Sequence, residues 1–251
     1  MALNSGWAYT EQVGIENAGQ TVLAHLAASR LHSTVQDWAE RIDRGEVELD
    51  DARAAAGAVL RPGQTLVWHR PPWDEPDVPL RFEMLHEDGA IVAVIKPSGL
   101  PTMPAGGFLE HTLFALVRAK YPEAAPLHRL GRFTSGIVIF ARTPESAAAL
   151  GDQWRNQRVR KIYRALGSGV AVTDRFAINT PIGPVAHARL GFIHAASANG
   201  RPAHTICTVL ERRADTTLFS VEITTGRPHQ DRKSTRLNSS HIQKSRMPSS
   251  A

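Results

Sequence analysis

The sequence predicts an α+β fold in two parts, on three observations. Near the N-terminus, two short helical patterns are followed by a small set of strand-like segments. A proline-rich stretch, Arg70–Pro79, then interrupts regular structure, because each proline removes a backbone donor and fixes φ. Beyond it, apolar runs of strand length (Ile91–Ile95, Ile137–Ala141) and alternating segments (Thr205–Glu211, Thr217–Thr224) read as strands of a larger domain with helices between them. A 251-residue chain with 42% hydrophobic residues is long enough for one large core and one small one.

Residues 1–18 show no clear periodicity and are read as a lead-in. From Gly19, Val22, Leu23, Leu26 and Ala27 recur at helical spacing. Ser33 with Gln36 reads as a capping box opening a second helix, whose Val35, Trp38 and Ile42 share a face and which Gly45 ends. Glu46–Asp50 alternates like a strand, Pro62-Gly63 is a turn, and Leu66–Trp68 is a further strand. Past the proline stretch come a strand at Phe82–His86, a turn at Glu87-Asp88-Gly89 and a buried strand at Ala90–Ile95. His111–Lys120 reads as a helix with Leu113, Leu116 and Val117 on one face. After the Ile137–Ala141 strand, Thr143 is an N-cap with Pro144 at the first helical position, and Ala147, Leu150 and Trp154 are expected to face the core. Gly167–His204 is rich in Gly, Pro and Ala and shows no order by pattern.

The net charge of +5 and pI of 9.8 point toward an acidic partner, but much of the excess lies at the end of the chain. Residues 231–251 hold five of the 29 Lys/Arg (Arg232, Lys233, Arg236, Lys244, Arg246) and one of the 24 acids (Asp231); the remaining 24 and 23 nearly cancel. Local clusters therefore carry any nucleic-acid reading, and the densest outside the tail is Arg155, Arg158, Arg160 and Lys161. No apolar run approaches the ~18 residues of a membrane span. With no cationic-then-apolar leader, and Cys207 as the only cysteine, the expected setting is the reducing cytoplasm. The absence of G-x-G-x-x-G and G-x-x-x-x-G-K-[ST] strings argues against a nucleotide-dependent metabolic enzyme.

Three ordered motifs carry a family signal: I-K-P-S-G-L-P from Ile95, H-R-L-G-R-F-T-S-G at His128–Gly136, and T-G-R-P-H-Q at Thr225–Gln230. They resemble the RluA-type pseudouridine synthases, whose central loop usually reads H-R-L-D-x-x-T-S-G. The resemblance implies isomerisation of uridine to pseudouridine in ribosomal or transfer RNA. It also implies a mixed, mainly antiparallel catalytic sheet with flanking helices, and no metal or cofactor. The N-terminal helices and strands, with G-E-V-E-L and R-P-G-Q-T-L, are similar to the alpha-L RNA-binding fold of a ribosomal small-subunit protein. On that basis the domains are 19–69 (RNA-binding), 70–80 (linker) and 81–230 (catalytic, incomplete).

The reaction breaks a C–N glycosidic bond, turns the base and rejoins it through carbon, and the family does this with an aspartate whose place is taken here by Gly131. A subgroup of the family carries H-R-L-G-R-x-T-S-G, so Gly131 with Arg132 is a recognisable variant. By resemblance Tyr163, in K-I-Y-R, is the aromatic platform for the flipped base, and Arg129 opens the stack or grips phosphate. His128 orients the loop, and Thr134, Ser135 and Gly136 form its turn. Further RNA contacts are expected from Arg30, His32, Arg41 and Arg44 in the N-terminal domain and from Arg132, Arg155, Arg158, Arg160, Lys161 and Arg227. Arg232 stands where the family has the arginine that would hold the aspartate's charge, but it lies in the tail. Asp231–His241 matches codon by codon a stretch of sequencing-adapter DNA, so residues 231–251 are read as a non-native tail, with no strand carrying a core face. The alternative to an active isomerase is a non-catalytic RNA-binding member of the family that lacks the nucleophile.

Overall fold

The computed structural model describes residues 3–30, 32–188, 191–227, 230 and 242–243. The chain divides into two compact units, one of residues 1–82 with 97–120 and one of residues 83–96 with 121–251. Among the described residues every strand ladder is antiparallel, and helices are few and short, an α+β architecture.

In the first unit the supposed lead-in is a strand, β1 (Trp7–Gln12). It shows no clean apolar alternation because none of its six residues is buried, four being exposed and two half-covered, yet it pairs along its whole length with a strand near residue 70. Helix α1 (Val22–Ser29) is capped by Thr21 and buries Val22 and Leu26. Helix α2 (Val35–Asp43) opens with a capping box one residue later than Ser33 and Gln36 suggested. Thr34 accepts from the Asp37 amide, and Asp37 accepts from the Thr34 amide. Asp37 outcompetes Gln36 because a carboxylate near a helix N-terminus also meets the favourable end of the dipole. Trp38 and Ile42, four apart, are fully buried, whereas Val35 stays 58% exposed. Gly45 ends the helix at φ +76°, a conformation that side chains disfavour.

The sheet of this unit runs β1–β4–β2–β3, with β2 at Val47–Leu49, β3 at Ala52–Arg53 and β4 at Thr65–Arg70. Its core joins Val22, Leu26, Trp38, Ile42, Val47, Leu60, Leu66 and Trp68. Each such side chain fully buried contributes about 1.5–3 kcal/mol.

The proline-rich segment has no helix or strand, as its prolines dictate, but it is not a free tether. Glu75 is buried and accepts from the amides of Leu109, Glu110 and His111 at 2.9, 2.8 and 2.9 Å and from Asn4 Nδ2 at 2.8 Å. Burial alone would raise its pKa, and those four donors outweigh it and hold the carboxyl below its usual value. Helix α3 (Leu113–Lys120) belongs to this unit and buries Leu113 and Val117, with Leu116 half-buried.

The second unit contains a sheet ordered β5–β6–β8–β7, with β5 at Glu83–Glu87, β6 at Ile91–Lys96, β7 at Ala125–Pro126 and β8 at Gly136–Ala141. Asp88 makes the β5–β6 turn by accepting from the amides of Ala90 and Ile91. The His86 hydrogen bond and those amides hold its pKa at about 2. Strand β6 pairs with β8 from Ile91↔Ala141 to Lys96↔Gly136. Val138 and Phe140 are fully buried, but Ile137 is 51% exposed, so the apolar run is only partly interior. Helix α4 (Pro144–Arg155) begins at Thr143 with the cap the sequence announces. None of its residues is buried; Ala147, Leu150 and Trp154 are half-covered rather than core.

A second four-stranded sheet runs β11–β14–β15–β9. Here β9 is Lys161–Ser168, β11 Arg175–Ile178, β14 Thr205–Arg212 and β15 Thr216–Ile223. Phe176, Ile178, Cys207, Phe219, Val221 and Ile223 form its core, with Tyr163 packed against them. The stretch without sequence order also contains β10 (Val170–Ala171) and a hairpin of β12 (Ile182–His187) and β13 (Gly191–Ala196). Neither hairpin strand alternates cleanly in burial, which explains the missing pattern. In the tail, β16 (Ile242–Gln243) pairs with β10, while 231–241, including Arg232, lie outside the described residues. No helix among the described residues is long and apolar enough to cross a membrane.

Candidate active site on the His128–Gly136 loop

The loop between β7 and β8 is held from both ends and in the middle. His128 stacks on Trp154 of α4, ring centroids 5.1 Å apart at 19°. Its Nε2 accepts from the Ile139 amide at 3.2 Å, which assigns the ring proton to Nδ1. Burial, followed by the nearby charge of Lys161, pushes His128 down to about 4, so it is neutral at physiological pH. A neutral ring that accepts from a strand amide and stacks on Trp154 ties the loop to β8 and α4. Leu130 is buried, and the Thr134 amide donates to the Gly131 carbonyl at 3.0 Å, closing a turn. Gly136 leaves the loop at φ +134°, where only glycine is comfortable.

Lys96 pins the middle. It is fully buried at the end of β6, and its Nζ donates to the Arg132 carbonyl at 3.0 Å. Burial lowers its pKa to about 8. The sequence supplies Lys96 only as part of a motif; its grip on a backbone atom 36 residues away is tertiary and leaves no local signal.

Gly131 is exposed, and its φ lies outside the left-handed region. A Cβ built there would meet Thr134 Oγ1 at 3.5 Å, ordinary van der Waals contact, so a larger residue fits. Arg129 is exposed and has no hydrogen-bond or ion-pair partner among the described residues. Arg132 is half-buried, with its guanidinium 5.1 Å from the ring of Phe133, itself 59% exposed.

Three motif segments converge at Lys161. It is the charged neighbour of His128, and its Nζ is 4.0 Å from where a Cβ of Gly226 would stand. Two residues along β9, and so on the same face, lies Tyr163, half-buried and paired opposite Val221. The third motif is folded around Gln230, which is buried. It accepts from Thr225 Oγ1 and the Arg227 amide, and donates to the His204 carbonyl and Thr205 Oγ1. Arg227 Nε donates to the Pro202 carbonyl at 2.9 Å, which braces the loop. Pro228 and His229 of that motif lie outside the described residues.

The other candidate cations differ in how far they are engaged. Arg155 stands 3.6 Å from Asp152, and Arg160 forms a two-point pair with Glu222 at 2.8 and 3.3 Å; both are some 70% exposed, and such pairs contribute little stability. Arg158 is exposed, with no side-chain partner among the described residues. In the first unit Arg30 pairs with Glu11 at 3.1 Å, and Arg44 with Glu46 at 2.8 Å. Arg41 donates to Ser33 Oγ and lies 4.6 and 4.9 Å from the rings of Trp38 and Trp68, a packing role. His32 stacks on Trp68, and burial with Arg41, Arg30 and Arg70 lowers its pKa.

Asp152 and Glu145 both lie on α4; Asp152 accepts from Asn156 at the helix end. Among the described residues no group of three or more His, Cys, Asp or Glu could hold a metal ion.

A family model described as RNA pseudouridylate synthase matches residues 90–236, more than half of the chain. The chain is 41% identical over 204 residues to an uncharacterized RNA pseudouridine synthase of Synechocystis sp., covering 80% of this chain and 70% of that protein. It is 31% identical over 234 residues to the ribosomal large subunit pseudouridine synthase D of Neisseria meningitidis, covering 88% of this chain and 61% of that one. In fold it is similar to the human RNA pseudouridylate synthase domain containing 1, with a TM-score of 0.51 at 23% identity over 64% of this chain and 66% of that structure.

Proposed function

Because the chain belongs to the RNA pseudouridylate synthase family, we propose that it isomerises uridine to pseudouridine in ribosomal or transfer RNA of the cytoplasm. The observation that carries this reading is the convergence at Lys161 of the H-R-L-G loop, the K-I-Y-R strand and the T-G-R loop, with Arg129 exposed beside position 131. Lys161 and Arg129 meet the phosphates on either side of the target nucleotide, Tyr163 takes the flipped base, and Arg227 braces the loop behind them. Arg158 and Arg132 extend the basic track along the RNA, with Arg155 and Arg160 at its edge. The first unit adds a second RNA contact through residues 19–69, where Arg30 and Arg44 exchange their carboxylate partners for phosphate.

Position 131 supplies no carboxylate, so turnover by the native chain draws on a carboxylate from elsewhere. The test is tritium release from RNA labelled at C5 of uridine. Release above background is expected, and Gly131→Asp, which fits without strain, raises it about tenfold or more. RNA binding without release in the native chain would reject the isomerase reading and leave a binding protein.

A further inference from the structure

The geometry points to Phe133 as the stacking surface for a nucleotide beside the target uridine, which selects single-stranded RNA with an intact base at that place. This inference rests on the RNA-modifying function proposed above. Phe133 stands 59% exposed in the middle of a loop whose backbone is fixed. The carbonyl of its neighbour Arg132 is taken by buried Lys96, the 131–134 turn is closed by a hydrogen bond, and Leu130 on one side and Val138 on the other are buried. A fixed loop that holds an aromatic ring in water leaves apolar area uncovered that a ligand can cover.

The surrounding chemistry identifies that ligand. The Arg132 guanidinium lies 5.1 Å from the ring, and Arg129 is exposed without an ion-pair partner among the described residues. A planar aromatic face beside the Arg132 guanidinium, on a loop that also carries the exposed Arg129, matches a base with its neighbouring phosphates, since stacking meets the ring and the phosphates meet the cations. Stacking of this kind is tolerant of which base is presented, because every base has a π-face. Tyr163 is a different surface: it is half-buried against the core of the second sheet, whereas Phe133 faces solvent. The two aromatics divide the work, one receiving the flipped uridine and the other its neighbour.

The experiment compares binding of the full-length protein to a ten-nucleotide oligouridylate and to an abasic ribose-phosphate ten-mer of equal charge, by fluorescence anisotropy across a salt series. The native protein is expected to prefer the oligouridylate by about fivefold or more. Phe133→Leu removes that preference without changing the salt slope, and Phe133→Tyr keeps it. Arg129→Ala does the reverse, lowering the slope by about one while the preference stays. A Phe133→Leu protein with the native preference would overturn the assignment and leave the isomerase reading standing. Native protein that binds neither ten-mer would overturn both.

Discussion

His128 carries a pH dependence that can be read out in stability. Its ring is neutral in the folded protein because it is buried against Trp154 near the Lys161 charge, with a pKa of about 4 against an ordinary value of 6.5. The unfolded chain takes up a proton first as the pH falls. The contribution of His128 is therefore complete above about pH 6.5 and is lost progressively down to about pH 4, at no more than ~1.4 kcal/mol per pH unit. Urea denaturation between pH 4 and 7 should show a shallower loss for His128→Gln, which keeps an acceptor but cannot titrate. Identical pH dependence in the two proteins would contradict the assignment. This residue was legible in the sequence as part of a string, and so were Arg129 and the glycine at 131. Lys96 and Phe133 stand in the same kind of string, but their roles were not legible, because the importance of one lies in a contact 36 residues away and that of the other in its exposure.

At the scale of elements, α2 offers a measurement of how local signals compete. Ser33–Gln36 and Thr34–Asp37 both have capping-box spacing, and the structure uses the second. Thr34→Ala should destabilise the first unit by about 1 kcal/mol, while Ser33→Ala, which loses only a bond from Arg41, should have less effect in thermal melts. The β14–β15 pair was legible because alternating residues of β15 enter the core, the burial reversing at each step from Thr216 to Ile223. The β12–β13 hairpin was not, since Val185 and Phe192 stay exposed and no face of either strand is consistently buried. Strand β1 was missed for the same reason: its register is written in hydrogen bonds to β4, not in its own residues.

The division of the whole molecule differs from the linear order that the prolines suggested, because Glu75 ties residues 109–111 and Asn4 to the same point. Glu75→Gln replaces one accepting oxygen by a donor that faces backbone donors, and should destabilise the first unit by about 1–3 kcal/mol. Hydrogen exchange at the amides of Leu109, Glu110 and His111 should accelerate in that variant; unchanged protection would refute the role. Proline spacing revealed where regular structure stops, but not that a buried carboxylate sits among the prolines. The same arrangement sets an order for synthesis on the ribosome. A nascent chain that has emerged only as far as Phe82 already contains both N-terminal helices and their sheet, yet Glu75 still waits for three of its four donors. The hairpin of residues 83–96 must pass by before those donors exist, so the first unit closes only after part of the second has been made. Cutting the gene just after Phe82 would therefore yield a fragment in which Glu75 keeps the Asn4 side-chain donor and exchanges its three backbone amides for water.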